Sequence, residues 1–128
     1  MDVLIIGAGA AGMMCAIEAG KRGRRTLVLD HADRIGKKIL ISGGGRCNFT
    51  NTQIASQAFV SQNPHFCKSA LSRFTAADFI RMVESHGIAY HEKKLGQLFC
   101  TTSARQIVDL LTAECQKACV EVQLSAKV

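Results

Sequence analysis

Asp2-Val3-Leu4-Ile5-Ile6-Gly7-Ala8-Gly9-Ala10-Ala11-Gly12 stands at the start of the chain, and its reading decides the fold. The run from Asp2 to Ile6 is short, apolar and rich in β-branched residues, which predicts a strand buried on both faces of a parallel sheet. A glycine turn follows at once. Met13-Met14-Cys15-Ala16-Ile17-Glu18-Ala19 holds no helix breaker and predicts a helix that ends near Gly20 to Gly23, among glycines and cations. A second apolar run, Thr26-Leu27-Val28-Leu29, stops at Asp30.

Strand, glycine turn, helix, strand and acid in this order form a dinucleotide-binding pattern, and each residue type has a physical task in it. Gly7 allows the tight turn out of the strand, Gly9 lets the backbone approach a pyrophosphate, and Gly12 lets the helix pack closely on the sheet. The unpaired N–H groups and the partial positive charge of the helix start then point at the phosphates. Asp30, at the tip of the second strand, is placed to accept hydrogen bonds from ribose hydroxyls, which argues against a 2′-phosphate there. The motif leaves FAD and NAD open.

At 128 residues the chain suits one domain with a real core, and a composition 48% hydrophobic and 20% charged excludes a disordered tract. The first apolar run is far too short to span a bilayer and no basic segment precedes it, so neither a membrane helix nor a secretory leader is expected. A cytoplasmic location follows by default. Lys and Arg total 16 against 10 acids, a net charge of +6, yet there is no Trp and one Tyr, so base stacking has few candidates. Lys21-Arg22-Arg24-Arg25 lies at the predicted C-terminal end of the first helix, where cations complement the dipole, and reads as a solvated helix end. No nucleic-acid partner is expected, and the oligomeric state is open. Six cysteines without a leader read as reduced thiols, and none stands at zinc-site spacing with a histidine, so no metal is expected.

Gly36-Lys37-Lys38-Ile39-Leu40-Ile41-Ser42-Gly43-Gly44-Gly45-Arg46-Cys47-Asn48-Phe49-Thr50-Asn51 is the second motif. Its three consecutive glycines can take positive φ and hold no side chain off a ligand, while Ser42, Arg46, Asn48, Thr50 and Asn51 supply donors and acceptors around them. Such a loop can wrap a phosphate or the polar edge of a ring system, or be a plain polar loop.

Together with the N-terminal glycines, this segment closely resembles the bacterial NAD(P)/FAD-dependent oxidoreductases of the BaiN/YhiN type, which include aminoacetone oxidase-like flavoproteins. Gln62-Asn63-Pro64-His65-Phe66-Cys67-Lys68-Ser69-Ala70 and Leu95-Gly96-Gln97-Leu98-Phe99-Cys100 look like the same family, so the resemblance covers essentially the whole chain. It implies FAD as the cofactor, with NAD(P)H as a further electron donor and a small molecule as substrate. By the same resemblance Gly7, Gly9, Ala10, Ala11 and Gly12 line the pyrophosphate, Asp30, with His31 beside it, serves the adenosine ribose, and Lys37, Lys38, Ser42, Gly43, Gly44, Arg46 and Cys47 line the rest of the cofactor. The family more often has glutamate where this chain has Asp30. Flavin disulfide reductases place two cysteines in this region and here only Cys47 is present, so Cys47 reads as a small packing residue rather than half of a thiol relay.

Asn63-Pro64 predicts a helix starting at Pro64 and running to about Arg73. Thr75 with Asp78 predicts a capping box, Phe79, Ile80 and Val83 an apolar stripe, and His86-Gly87 the helix end. Ile88 to Glu92 and Gln97 to Cys100 flank Lys94-Leu95-Gly96 as a hairpin. Ser103 with Gln106 predicts another capping box, opening a helix with Ile107, Leu110, Leu111, Cys115 and Ala118 on its apolar face. Val120 to Leu124 alternates like the third parallel strand. The expected fold is thus α/β, a Rossmann-like FAD-binding fold with a parallel sheet, carrying a helical and hairpin insertion over about residues 52–103 between its second and third strands. The chain reads as the N-terminal part of a larger flavin-dependent oxidoreductase, inactive alone, with no catalytic residue assignable within it. The alternatives are a non-catalytic FAD- or NAD-binding domain and, suggested by the positive charge, a flavin-dependent RNA-modifying enzyme.

Overall fold

The four residues before the glycine turn pair in parallel with four beyond the first helix, Val3 with Thr26 through Ile6 with Leu29. The computed structural model describes residues 1–127, and Val128 lies outside the described residues. In chain order the elements are β1 (Val3–Ile6), α1 (Ala10–Lys21), β2 (Thr26–Leu29), α2 (Lys37–Ile41) and a 3₁₀ turn at Ser42–Gly45. Then come β3 (Asn48–Asn51), a 3₁₀ turn at Ser56–Ala58, α3 (Lys68–Arg73), α4 (Ala76–Ser85), β4 (Tyr90–Glu92) and β5 (Gln97–Cys100). Finally α5 (Arg105–Lys117) leads into β6 (Glu121–Gln123).

The chain divides into two compact units, Met1–Cys47 with Ser103–Val128, and Asn48–Thr102. In the first, β6 pairs in parallel with β2 through Val28 and Val122, giving the strand order β1-β2-β6. This is one half of a doubly wound sheet, with the third strand beside the second. Met13, Ala16 and Ile17 of α1 and Ile107, Leu110, Leu111 and Cys115 of α5 are buried, as is Val28 of β2. Each large apolar side chain so removed from water contributes about 1.5–3 kcal/mol. Leu4 and Ile6 of β1 are 58% and 61% exposed. The expectation of a strand buried on both faces is therefore not met: Val3 and Ile5 are half-buried on one face, and no helix among the described residues covers Leu4 and Ile6 on the other.

The second unit is a three-stranded antiparallel sheet of order β3-β5-β4. Phe49 of β3 meets Phe79 of α4 and Tyr90 of β4 edge-on, with ring centroids 6.0 and 5.6 Å apart. Thr75 and Asp78 form the expected capping box of α4, and β4 and β5 form the expected hairpin.

Two local expectations need correction. The helix placed from Pro64 begins at Lys68, after a turn in which the Asn63 side chain accepts the His65 N–H at 3.0 Å. The Ser103–Gln106 capping box does not form: Ser103 Oγ accepts the Arg105 N–H at 3.2 Å, and Gln106 Oε1 is buried without a partner. Ala104, itself helical, is the N-cap, and its N–H is drawn to the Gly45 carbonyl at 2.7 Å. The start of α5 is thus set by the loop before it rather than by a side chain.

Candidate dinucleotide-binding site

The chain leaves β1 through Gly7, whose φ of +107° is strained for any residue with a β-carbon. The Gly7 N–H donates to the Leu29 carbonyl at 2.7 Å, which ties the turn to the end of β2. Ala8 is fully buried. Its N–H donates to Asp30 Oδ2 at 2.6 Å, and its carbonyl accepts the Gly36 N–H at 2.9 Å. The loop after β2 therefore grips the first turn from both sides.

Gly9 is the N-cap of α1, no side chain caps this end, and no acid lies in its first turn. Gly9, Ala10 and Ala11 are exposed. The opening N–H groups of a helix have no intrahelical acceptor and carry partial positive charge, so this end is open to an anion. The glycines divide by what a β-carbon would meet. At Gly12 it would fall 1.9 Å from the Gly7 carbonyl oxygen, so Gly12 exists for helix-to-strand contact. At Gly9 it would meet nothing within 4 Å, so no packing of the fold requires glycine there.

The Asp30 side chain is only 14% exposed. Its Oδ1 accepts the Ala32 N–H at 2.8 Å, and this bond, with that from Ala8, holds the carboxyl below the usual aspartate range. Each oxygen keeps a second lone-pair direction, which leaves an acceptor for a ribose hydroxyl. His31 Nδ1 lies 3.4 Å from Oδ1 on an imidazole 94% exposed.

The second glycine segment is more ordered than a loop. Gly36 takes φ +68° as the N-cap of α2, and a β-carbon there would lie 2.8 Å from Val108 Cγ2. Lys37 and Lys38 are exposed on α2, with Lys37 Nζ 2.9 Å from Asp33 Oδ1. Ser42 Oγ donates to the Ile39 carbonyl at 2.7 Å. Gly43, Gly44 and Gly45 have φ of +56°, +64° and +81°. The Arg46 N–H donates to the Gly43 carbonyl at 3.3 Å and the Cys47 N–H to the Ser42 carbonyl at 3.1 Å, closing the 3₁₀ turn. Cys47 is buried with φ +52°, and burial pushes its thiol up against an opposing hydrogen bond from Ser42. That favours thiol over the nucleophilic thiolate.

Asn51, expected beside these glycines, instead fastens the second unit. Its Nδ2 donates to the Leu95 carbonyl at 2.9 Å and its Oδ1 accepts the Gln53 N–H at 2.7 Å.

The HI0933-like protein Rossmann domain model matches residues 1–128. The chain belongs to this family. Two curated relatives of the HI0933-like chain are named "Ribosomal RNA dihydrouridine synthase". The one from Escherichia coli (strain K12) is 61% identical over 127 residues, covering 99% of this chain and 32% of the relative. The one from Haemophilus influenzae is 53% identical over 125 residues, covering 98% and 31%. A "3-dehydro-bile acid delta(4,6)-reductase" from Clostridium scindens is 28% identical over 127 residues, covering 97% and 31%. The chain thus spans about a third of the length of these relatives. Among solved structures, Thermovibrio ammonificans THI4 matches with TM-score 0.60 at 18% identity, covering 96% of this chain and 38% of that one. A flavocytochrome c3 fumarate reductase in its open conformation matches with TM-score 0.62 at 21% identity, covering 100% and 27%. These two establish likeness of fold.

Within the HI0933-like domain, Ala8 and Gly36 join the two motifs, and the residue-by-residue sequence reading gave neither a role. Gly36 had a signal, a glycine directly before a short apolar run with paired lysines. Ala8 had none, because its task belongs to its backbone.

Proposed function

We propose that this chain is the FAD-binding part of a flavin-dependent oxidoreductase, and that the whole protein reduces uridine in ribosomal RNA. The observation that carries the cofactor assignment is the vacant, uncapped start of α1 at Gly9, with Asp30 at the tip of the adjacent strand. Gly7, Gly9, Ala10, Ala11 and Gly12 would hold the pyrophosphate, and Asp30, with His31 beside it, the adenosine ribose. Lys37, Lys38, Ser42, Gly43, Gly44, Arg46 and Cys47 would border the remainder. When bound, FAD supplies two-electron transfer to a carbon–carbon double bond conjugated to a carbonyl, a feature of the uracil ring. The chain's own part is to orient the cofactor: the α1 dipole meets its phosphates and the Asp30 clamp sets the turn.

Identity of 61% and 53% to proteins named for ribosomal RNA dihydrouridine synthesis favours RNA as substrate. The sequence alone led to no nucleic-acid partner while keeping a flavin-dependent RNA-modifying enzyme as a lesser alternative, and an activity measurement decides between them. A BaiN/YhiN-type reductase of a small conjugated substrate is the second reading, favoured by the weaker likeness to the bile acid reductase. In either case NAD(P)H is the proposed electron source, the cytoplasm the proposed location and the isolated chain the proposed inactive part.

The full-length protein, reduced and incubated with ribosomal RNA lacking the modification, is expected to be yellow, to release FAD, and to add two hydrogens to uridine by mass spectrometry. A colourless protein would refute the cofactor assignment. A yellow protein that leaves uridine unchanged but reduces a conjugated small molecule would move the substrate to the second reading.

A further inference from the structure

A cleft of about 540 Å³ lies between the C-terminal ends of α1 and α5, with Lys21, Gly23, Arg24, Arg25, Glu114 and Lys117 in its wall. Its floor is tight: a β-carbon at Gly20 would fall 2.4 Å from the Ala118 carbonyl oxygen, so the two helix ends touch backbone to backbone. The cleft and the glycine turn occupy opposite ends of the same strands. Asp2, just before β1, accepts the Arg25 N–H at 2.9 Å at the cleft end, whereas Ile6 and Leu29 finish at the turn. Four residues of strand separate the ends, which is on the order of 15 Å.

Positive charge gathers here beyond what its partners neutralise. Glu18 serves both Lys21 at 3.7 Å and Arg22 at 2.7 Å, Asp2 serves Arg25 at 3.1 Å, and Glu114 lies 2.8 Å from Lys117. Three carboxylates thus face five cations. Arg24 makes no ion pair among the described residues and is exposed at the rim. Glu121, at the start of β6, does not line the cleft.

We propose that this cleft is a phosphate-backbone anchor for RNA, a reading that rests on RNA being the substrate of the whole protein. Two features select a polynucleotide over a single small anion. Helix C-termini carry partial negative charge, which disfavours one anion sunk between them, while several cations along an open rim suit successive phosphodiesters. No aromatic side chain lines the cleft, so the contact is to backbone and carries no base sequence. The anchor holds RNA at the end of the sheet remote from the cofactor turn, so it contributes affinity and register rather than chemistry.

The test uses the full-length protein with Lys21→Gln, Arg24→Gln and Lys117→Gln combined, none of which touches the proposed FAD site. Ribosomal RNA binding is measured as a function of salt, beside flavin content. Flavin content is expected to stay unchanged, while affinity falls by about two orders of magnitude near 0.1 M salt and the slope of log K against log salt falls by about 2–3. Arg24→Lys alone, which keeps the charge, is expected to keep the slope. Equal affinity and slope in the triple variant, with RNA still bound and uridine still reduced, would overturn the anchor and leave the reaction standing. AMP is titrated into the FAD-loaded protein beside RNA, and AMP binding that the triple variant loses while RNA binding stays intact would also overturn the anchor, in favour of a mononucleotide site. If the unaltered protein neither binds RNA nor reduces uridine, the RNA reading and the anchor fall together.

Discussion

At Gly12 an added β-carbon would lie 1.9 Å from a backbone oxygen, whereas at Gly44 and Gly45 it would meet nothing within 4 Å. The first glycine turn is squeezed between β1 and α1, and the second segment arches over open space. In the turn, the two glycines differ: Gly12 serves the packing of the fold, whereas Gly9 packs against nothing and is the position proposed to meet a ligand. In the arch, Gly43, Gly44 and Gly45 all take left-handed backbone, and at Gly44 and Gly45 that backbone alone calls for glycine. Identical residues therefore predict different failures, and substitutions separate them.

The largest effect is expected at Gly12. Gly12→Ala places a methyl group against a carbonyl that cannot rotate away, and the helix must shift off the sheet. A loss of about 3 kcal/mol or more is expected, at the upper end for overpacking, and thermal unfolding of the full-length protein measures it. Wild-type stability would mean that the contact between α1 and β1 is looser than described.

Gly9→Val is expected to abolish FAD binding without unfolding the chain, the unfolding temperature matching that of the FAD-free parent. Gly9 has φ −86° and ψ −175°, a backbone valine adopts readily, and its side chain would enter only vacant space. Equal FAD affinity in variant and parent would remove the pyrophosphate from this turn.

The βαβ core was legible because each signal was local: an apolar run, glycines at fixed spacing, a terminal acid. The parallel β6 and the hairpin were legible by the same alternation. Less visible were features fixed by long-range backbone bonds. The Gly45 carbonyl, not Gln106, sets the start of α5, and Asn51 turned to its own hairpin. Segment Lys37–Ile41 read as loop because its helix is little more than one turn, ordered by the Gly36 N–H on Ala8 rather than by propensity. In the site, Asp30 was found by its position at the strand tip, but its hold on Ala8 and Ala32 could not be inferred from one acid in a sequence.

That hold makes Asp30→Ala a double lesion. FAD affinity is expected to fall by about 1–3 kcal/mol from lost charged hydrogen bonds, and the Ala8 N–H loses its acceptor. Asp30→Asn should recover part of the loss, since an amide oxygen still accepts one N–H. The pH dependence follows from the sign of the shift. Folding lowers the Asp30 carboxyl below its ordinary 3.8, through Ala32 first and Ala8 second. Its contribution to stability is therefore full above that ordinary value and is lost as pH falls through the lower folded value. In acid unfolding, the stability gap between parent and Asp30→Asn should be constant above pH 3.8 and close as pH falls below it through the lower folded value. Curves that stay parallel would show that the carboxylate does not brace the turn.

The smallest effect is expected at the edge of the arch. Cys47 is 6% exposed, its thiol is pushed up by burial, and φ of +52° tilts it into the turn that Ser42 closes. A relay thiol needs thiolate character and a partner at close spacing, and positions 51 and 52 are Asn51 and Thr52. Cys47→Ser keeps size and left-handed backbone and exchanges a weak hydrogen-bonding sulfur for a stronger hydroxyl, a change of about 1 kcal/mol in stability. Flavin content and the rate of anaerobic flavin reduction by NADPH or NADH in the full-length protein should stay near the parent values. If reduction collapses while FAD remains bound, Cys47 takes part in electron transfer, and the arch would have to be counted as chemistry rather than as a wall.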